Sequence, residues 1–168
     1  MNARTTIFSP CRKYRYTLWR EWDEVPLWAA ATGKSNQYVQ FIGLNPSTAD
    51  ETLDDPTIRR CIGFSKAWGY GALCMTNLFA WRDTDPQAMR RVADPTGMQN
   101  NTELLNCAKG AALIIAAWGK HGRHRDRDDW VKKMMFDCGF KLNHLGLNDD
   151  GTPKHPLHLK GSTLPAPF

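Results

Sequence analysis

Residues 38–50 read YVQFIGLNPSTAD. An apolar, β-favouring run reaches Gly43-Leu44, and the chain then leaves through Asn45-Pro46 into small and acidic residues. A run of this length and composition predicts a strand buried on both faces. Proline has no N–H and holds the preceding residue in extended geometry, so the segment departs the strand end without curling at once into helix. That exit places the Asn45 carboxamide, several backbone N–H groups and the Ser47 hydroxyl at the mouth of a pocket. Ser47, Thr48 and Asp50 are equally natural helix caps or turn formers.

Working outward, three more apolar runs match the first: ALCMTNLF (72–79), ALIIAAW (112–118) and KLNHLGL (141–147). Segments with helical spacing separate them: TIRRCIGFSKAWGY (57–70), GMQNNTELLNCAKG (97–110) and DRDDWVKKMMFDCGF (126–140). Strand and helix alternating in this way predict an α/β fold with three α/β/α layers and a central, mainly parallel, four-stranded sheet. YRYTLWREW (14–22) reads as a further strand or hairpin at its flank, and the proline-rich tail from Pro153 reads as extended. In such sheets ligands gather beyond the carboxyl ends of the strands, where loops and helix N-termini converge.

The chain of 168 residues suits one domain, 1–168, with one core. Hydrophobic residues at 42% and charged residues at 23% exclude a disordered or fibrous chain. No apolar run has the length of a membrane helix and the N-terminus lacks the apolar centre of a signal peptide, so a cytoplasmic protein without a membrane partner is expected. Five cysteines without a CxxC pair read as reduced thiols rather than a disulfide or zinc framework. The net charge of +5 suits an anionic partner.

Polar residues cluster at the predicted strand ends. Asn77, within the second run, needs its amide satisfied by backbone or by a ligand edge, and Phe79 and Trp81 beyond it would stack on a base or pack the core. A third cluster joins Trp118, Gly119, Lys120 and His121 to His155 and His158 of the tail. Asp50, Asp54 and Asp55 precede a helix, where acids favour its dipole. The same three would be needed by a divalent cation in a nuclease. No zinc spacing accompanies the histidines, and the P-loop lysine is missing. No metal or cofactor is expected.

The run from Phe41 to Pro86, then AAWGKHG and GTPKHPLHL, resembles the bacterial and phage family DUF1643 across nearly the whole chain. The order of these motifs also resembles, more distantly, the uracil-DNA glycosylase superfamily. There a G-x-N-P or related segment positions water, a later strand supplies a base-reading asparagine, a W-G or L-G segment follows the third strand, and an H-P-S-P-L-like loop closes the site. This resemblance implies a DNA base glycosylase of that fold, acting on a damaged or modified pyrimidine flipped from DNA, with base modification or phage defence as the setting. It implies catalytic roles for Asn45 and His155. Gly43, Leu44, Pro46, Ser47, Asn77, Phe79, Trp81, Trp118, His121 and His158 would bind the base. Arg59, Arg60, Arg82, Lys120, Arg123 and Lys160 would hold DNA phosphates. His155-Pro156-Leu157-His158 lacks the serine and second proline of the closing loop, and the cysteines do not form an iron–sulfur set. A module that binds a modified base or nucleotide without turnover is the alternative, and a metal-dependent nuclease the weaker one.

Overall fold

A computed structural model describes residues 5–168; residues 1–4, the start of the segment read above for a signal peptide, lie outside the described residues. The chain runs β1 (Ile7–Phe8), β2 (Arg15–Glu21), α1 (Leu27–Ala31), β3 (Tyr38–Gly43), α2 (Pro56–Ala67), β4 (Ala72–Asn77), α3 (Pro86–Arg91), α4 (Asn100–Lys109), β5 (Leu113–Ala116), α5 (Arg127–Asp137), β6 (Asn143–His144) and β7 (Ala166–Pro167). Short 3₁₀ segments cover Lys34–Asn36, Lys120–Asp126 and Pro156–His158.

The strands form one sheet in the order β1-β2-β4-β3-β5-β6-β7. Its centre, β4-β3-β5-β6, is parallel, while β2 runs antiparallel to β4, β1 to β2 and β7 to β6. The expected four-stranded sheet is thus corrected to seven strands. Two-residue strands such as β1 and β7 carry too little pattern to be read from sequence, and the KLNHLGL run joins the sheet only at Asn143 and His144, with Leu147 in a separate bridge to Pro153. Gly146, at φ +128°, turns the chain away directly afterwards. The tail is likewise not simply extended, since it folds into the 156–158 turn and then β7.

Side chains alternate across the central strands into two apolar clusters. Val39, Phe41 and Ile115 meet Ile58, Cys61 and Phe64 of α2. Ile42, Ile114 and Ala116 meet Leu104 and Ala108 of α4 and Val131 and Met135 of α5. The α2 start is set by Asp55, whose side chain accepts a hydrogen bond from the Ile58 N–H at 2.8 Å, and by Pro56 in the first turn. Just beyond its end, Gly69 supplies the left-handed backbone, at φ +88°, that a closing helix favours. Phe64 is fully buried, so Phe64→Ala would remove about 3–5 kcal/mol of stability.

The chain passes from β3 to β4 on one side, then crosses to place β5 on the other side of β3. The strand order therefore reverses between β3 and β5, and a crevice at such a point is where open α/β sheets bind ligands.

Candidate functional site

A cavity of about 560 Å³ opens at that crevice, within the size range of small-molecule sites. Gly43, Leu44, Asn45 and Ser47 reach it from the end of β3, Asn77 from β4, Trp118, Lys120 and His121 from beyond β5, and His155 and His158 from the tail. Parallel register puts Gly43 beside Asn77, and the Leu78 and Phe79 N–H groups donate to the Gly43 and Leu44 carbonyls at 2.9 Å each. The first two walls are thus held by the sheet itself.

Asn45 is oriented by backbone. Its Nδ2 donates to the Asp83 carbonyl at 2.8 Å, with the Trp81 carbonyl at 3.4 Å, and the Asp83 N–H returns a bond to the Pro46 carbonyl at 2.9 Å. With the amide nitrogen engaged, Oδ1 is the atom left to meet a ligand or a water. Proline at 46 is buried and does not line the cavity; its role is to shape the exit.

Asn77 is nearly fully buried and its Nδ2 has no partner. A buried donor left unpaired costs about 1–3 kcal/mol. Its backbone is pinned from behind: Asn100 Nδ2 donates to the Asn77 and Leu78 carbonyls at 3.0 and 2.9 Å, and Arg127 Nε to the Leu78 carbonyl at 2.9 Å. A Cβ at Gly43 would sit 2.9 Å from Asn77 Oδ1. Glycine is needed there for close approach.

His155 caps the 156–158 turn, its Nδ1 accepting from the Leu157 N–H at 3.4 Å. An Nδ1 that accepts leaves Nε2 to carry the proton, so the neutral ring is a donor there. Burial pushes the His155 pKa below the ordinary histidine value, His158 adding to the effect and Asp55 opposing it. The two rings lie 6.0 Å apart. His121 is steadied by Arg90, whose Nη2 lies 2.9 Å from its Nδ1.

The sequence reading missed Arg15 and the wall role of Asp55. Arg15 is 2% exposed, lines the cavity, donates to the Ala49 carbonyl at 2.8 Å and has an unpaired Nε. Burial lowers its pKa to about 10, with Asp55 opposing, so it stays cationic at neutral pH. A charge inside the aromatic run YRYTLWREW was the available signal. Asp83, Thr84 and Asn148 complete the wall. Trp118 is buried with its Nε1 unpaired, and Gly122 packs closely on its indole edge.

Several expected residues lie elsewhere. Phe79 is not a stacking platform in this cavity: it is buried in the core shared with α4 and α5, because its position turns to the opposite face. Trp81 faces a neighbouring groove and meets Tyr14 edge-on at 5.3 Å. Of the six basic residues expected to hold DNA phosphates, Lys120 alone lines the cavity. Arg59 donates to the Asp54 carbonyl at 2.5 Å, and Arg60 donates to the Leu159 carbonyl and lies over Phe64. Arg82 covers Phe8, Arg123 pairs with Asp128 and Asp129 at 3.7 and 3.4 Å, and Lys160 is exposed on the tail. The nuclease triad is not assembled either. Asp50 accepts from the Thr52 and Leu53 N–H groups, Asp54 pairs with Arg20 at 2.7 Å, and Asp55 caps α2. Among the described residues no group of three histidine, cysteine or acidic side chains is placed to hold a metal ion.

A sheet whose switch point opens into a cavity walled by carboxamides, imidazoles and a buried guanidinium defines a mixed α/β protein with a donor-rich site. The chain belongs to the DUF1643 family, a "protein of unknown function" family whose model matches residues 15–157. No curated protein and no solved structure matches it. No helix among the described residues is long and apolar enough to cross a membrane.

Proposed function

We propose that this chain is a DNA base glycosylase of uracil-DNA glycosylase-like, three-layer architecture, hydrolysing the N-glycosidic bond of a damaged or modified pyrimidine flipped into the cavity. The observation that supports it is that Asn45, Asn77 and His155, far apart in sequence, line one cavity. Breaking the bond sends its electron pair to the departing base and leaves positive charge on the sugar, so both ends need stabilising. Asn45 Oδ1 would hold a water against the anomeric carbon. The water oxygen forms the new C–O bond, and its proton passes to the released base. Asn77 would read the base edge. Donors at His155 Nε2 and Arg15 would offset the negative charge on the base oxygens.

A carboxamide is no proton acceptor near neutrality, so the scheme suits bases that leave readily. The same observation favours a second reading, a module that binds a modified base without turnover, because Asp55, a carboxylate on the wall, is engaged at the α2 cap. The test is incubation with DNAs carrying uracil and a panel of modified pyrimidines, with chelator present, and detection of released base by mass spectrometry. Release by the wild type, lowered about 100–1000-fold in Asn45→Ala with DNA binding kept, is expected. Equal release by Asn45→Ala would remove the role given to that residue. Binding with no product from any DNA would leave the binding module.

A further inference from the structure

Beside the cavity runs a groove of about 550 Å³ walled by Lys13, Arg82, Trp81, Ser47 and Thr48. Ser47, Asp83 and Thr84 line both spaces, so the groove continues from the cavity mouth. We propose that it carries the phosphodiester strand next to the nucleotide held in the cavity, with a phosphate on Lys13, Arg82 and the Ser47-Thr48 backbone and a neighbouring base on Trp81. This rests on the glycosylase reading for the identity of the cavity's occupant, and on the groove's own chemistry for the strand.

Three observations carry it. The Ser47 and Thr48 N–H groups and hydroxyls donate to no acceptor among the described residues. They stand beside cations, the arrangement that binds phosphate oxygens. Lys13 is exposed, makes no ion pair among the described residues, and its ammonium lies 5.9 Å from the Trp81 ring centre. Trp81 is half-buried, packed on one side against the core and lining the groove with the rest, an aromatic surface on which any base can stack. Arg12 contributes less, because Glu51 holds it through bonds of 2.7 and 2.9 Å. Asp83 is the opposing charge in the groove, and its Oδ1 accepts from the Asp85 N–H at 2.9 Å.

The loop between the two spaces also fixes Asn45, through the Trp81 and Asp83 carbonyls. From below, Arg15 holds the Ala49 carbonyl. The groove wall is therefore tied to the cavity wall by hydrogen bonds within the chain.

The test is fluorescence anisotropy of the full chain with a labelled single-stranded oligonucleotide that carries a central abasic analogue and no scissile base. Lys13→Ala should weaken binding and flatten the salt dependence by about 0.7 in log–log slope, the amount for one lost single-strand phosphate contact. Trp81→Ala should weaken binding about tenfold. Because Lys13 is exposed, an unchanged affinity and slope in Lys13→Ala overturns the groove whatever Trp81→Ala does to folding. Displacement of the strand by orthophosphate as effective as by unlabelled oligonucleotide at equal phosphate concentration also overturns it, leaving a simple anion site. Strand binding that depends on Lys13 and Trp81, with no base released from any modified DNA, supports the groove and removes the glycosylase reading instead.

Discussion

The two ends of the sheet hold cavities of opposite character. At the amino-terminal ends of the parallel strands a hollow of about 1050 Å³ lies among Trp19, Trp22, Tyr38 and Gly71. The polar groups of two of its aromatic rings have internal partners: Trp22 Nε1 donates to the Tyr70 carbonyl at 2.9 Å and the Tyr38 hydroxyl to the Cys107 carbonyl at 2.7 Å, and no buried side-chain polar atom of its lining among the described residues is unpaired. The cavity at the carboxyl ends is about half that size, yet Arg15 Nε, Asn77 Nδ2 and Trp118 Nε1 in its wall are buried and unpaired. What separates the two cavities is not size but buried donors without partners. A fold bears the cost of such groups where a ligand can recover it.

The sharpest way to break this contrast is Asn77→Leu, which replaces the orphaned amide by an apolar group of similar shape. Base release should fall about 100–1000-fold. Stability should rise by about 1 kcal/mol, because a buried donor without a partner is removed. Urea denaturation and single-turnover base release read the two effects. A variant that loses stability as well as activity would show that the amide is satisfied in the folded chain, and the distinction between the two cavities would fail.

Gly43→Ala probes the same wall from the facing strand. The new Cβ would stand 2.9 Å from Asn77 Oδ1, so the carboxamide must shift. A misplacement on the ångström scale lowers rates about 100-fold. Measured release close to wild type would mean that Asn77 does not need its present position.

The opposite cavity supplies the control. Trp22→Phe removes the bond to the Tyr70 carbonyl and should cost about 1 kcal/mol of unfolding free energy, read by urea denaturation, with base release unchanged. A drop in release would place function at the larger hollow.

What was legible in the sequence follows the same division. The strands at 38–43, 72–77 and 113–116 were readable because each is an unbroken apolar run bounded by turn residues. Asn45 and Asn77 stood out as polar residues at or inside such runs. Arg15 did not, because its buried place depends on β2 lying beside β4, and Asp55 was weighed only as a helix cap or a cation ligand, since its place in the cavity wall is not a local property. Phe79 misled because strand alternation ends at Asn77: two residues on it would share the Asn77 face, yet the chain has left the strand and both Leu78 and Phe79 pack with α4 and α5. Trp81 and Arg82 were assigned to a base and a phosphate with no way to see that a groove separate from the cavity holds both.

The smallest expected effect concerns His155. Burial holds its folded-state pKa below the ordinary value of 6.5, while the unfolded chain titrates near that value, roughly 6.5. Between the folded value and 6.5 the unfolded state therefore binds the extra proton. The neutral, half-buried ring contributes stability that is present in full above that window and lost as pH falls through it. His155→Gln keeps a hydrogen-bonding group and removes the titration. The difference in urea midpoint between wild type and this variant should be flat above about 6.5, with the wild type losing ground below it. His124, also lowered by burial, is present in both proteins and cancels from the difference. In Trp22→Phe, altered only at the opposite cavity, the pH slope should match the wild type. A wild-type-minus-His155→Gln difference that stays flat through mild acid would mean that the ring is solvated rather than part of a desolvated wall. The contrast between the two ends would then rest on Arg15, Asn77 and Trp118 alone.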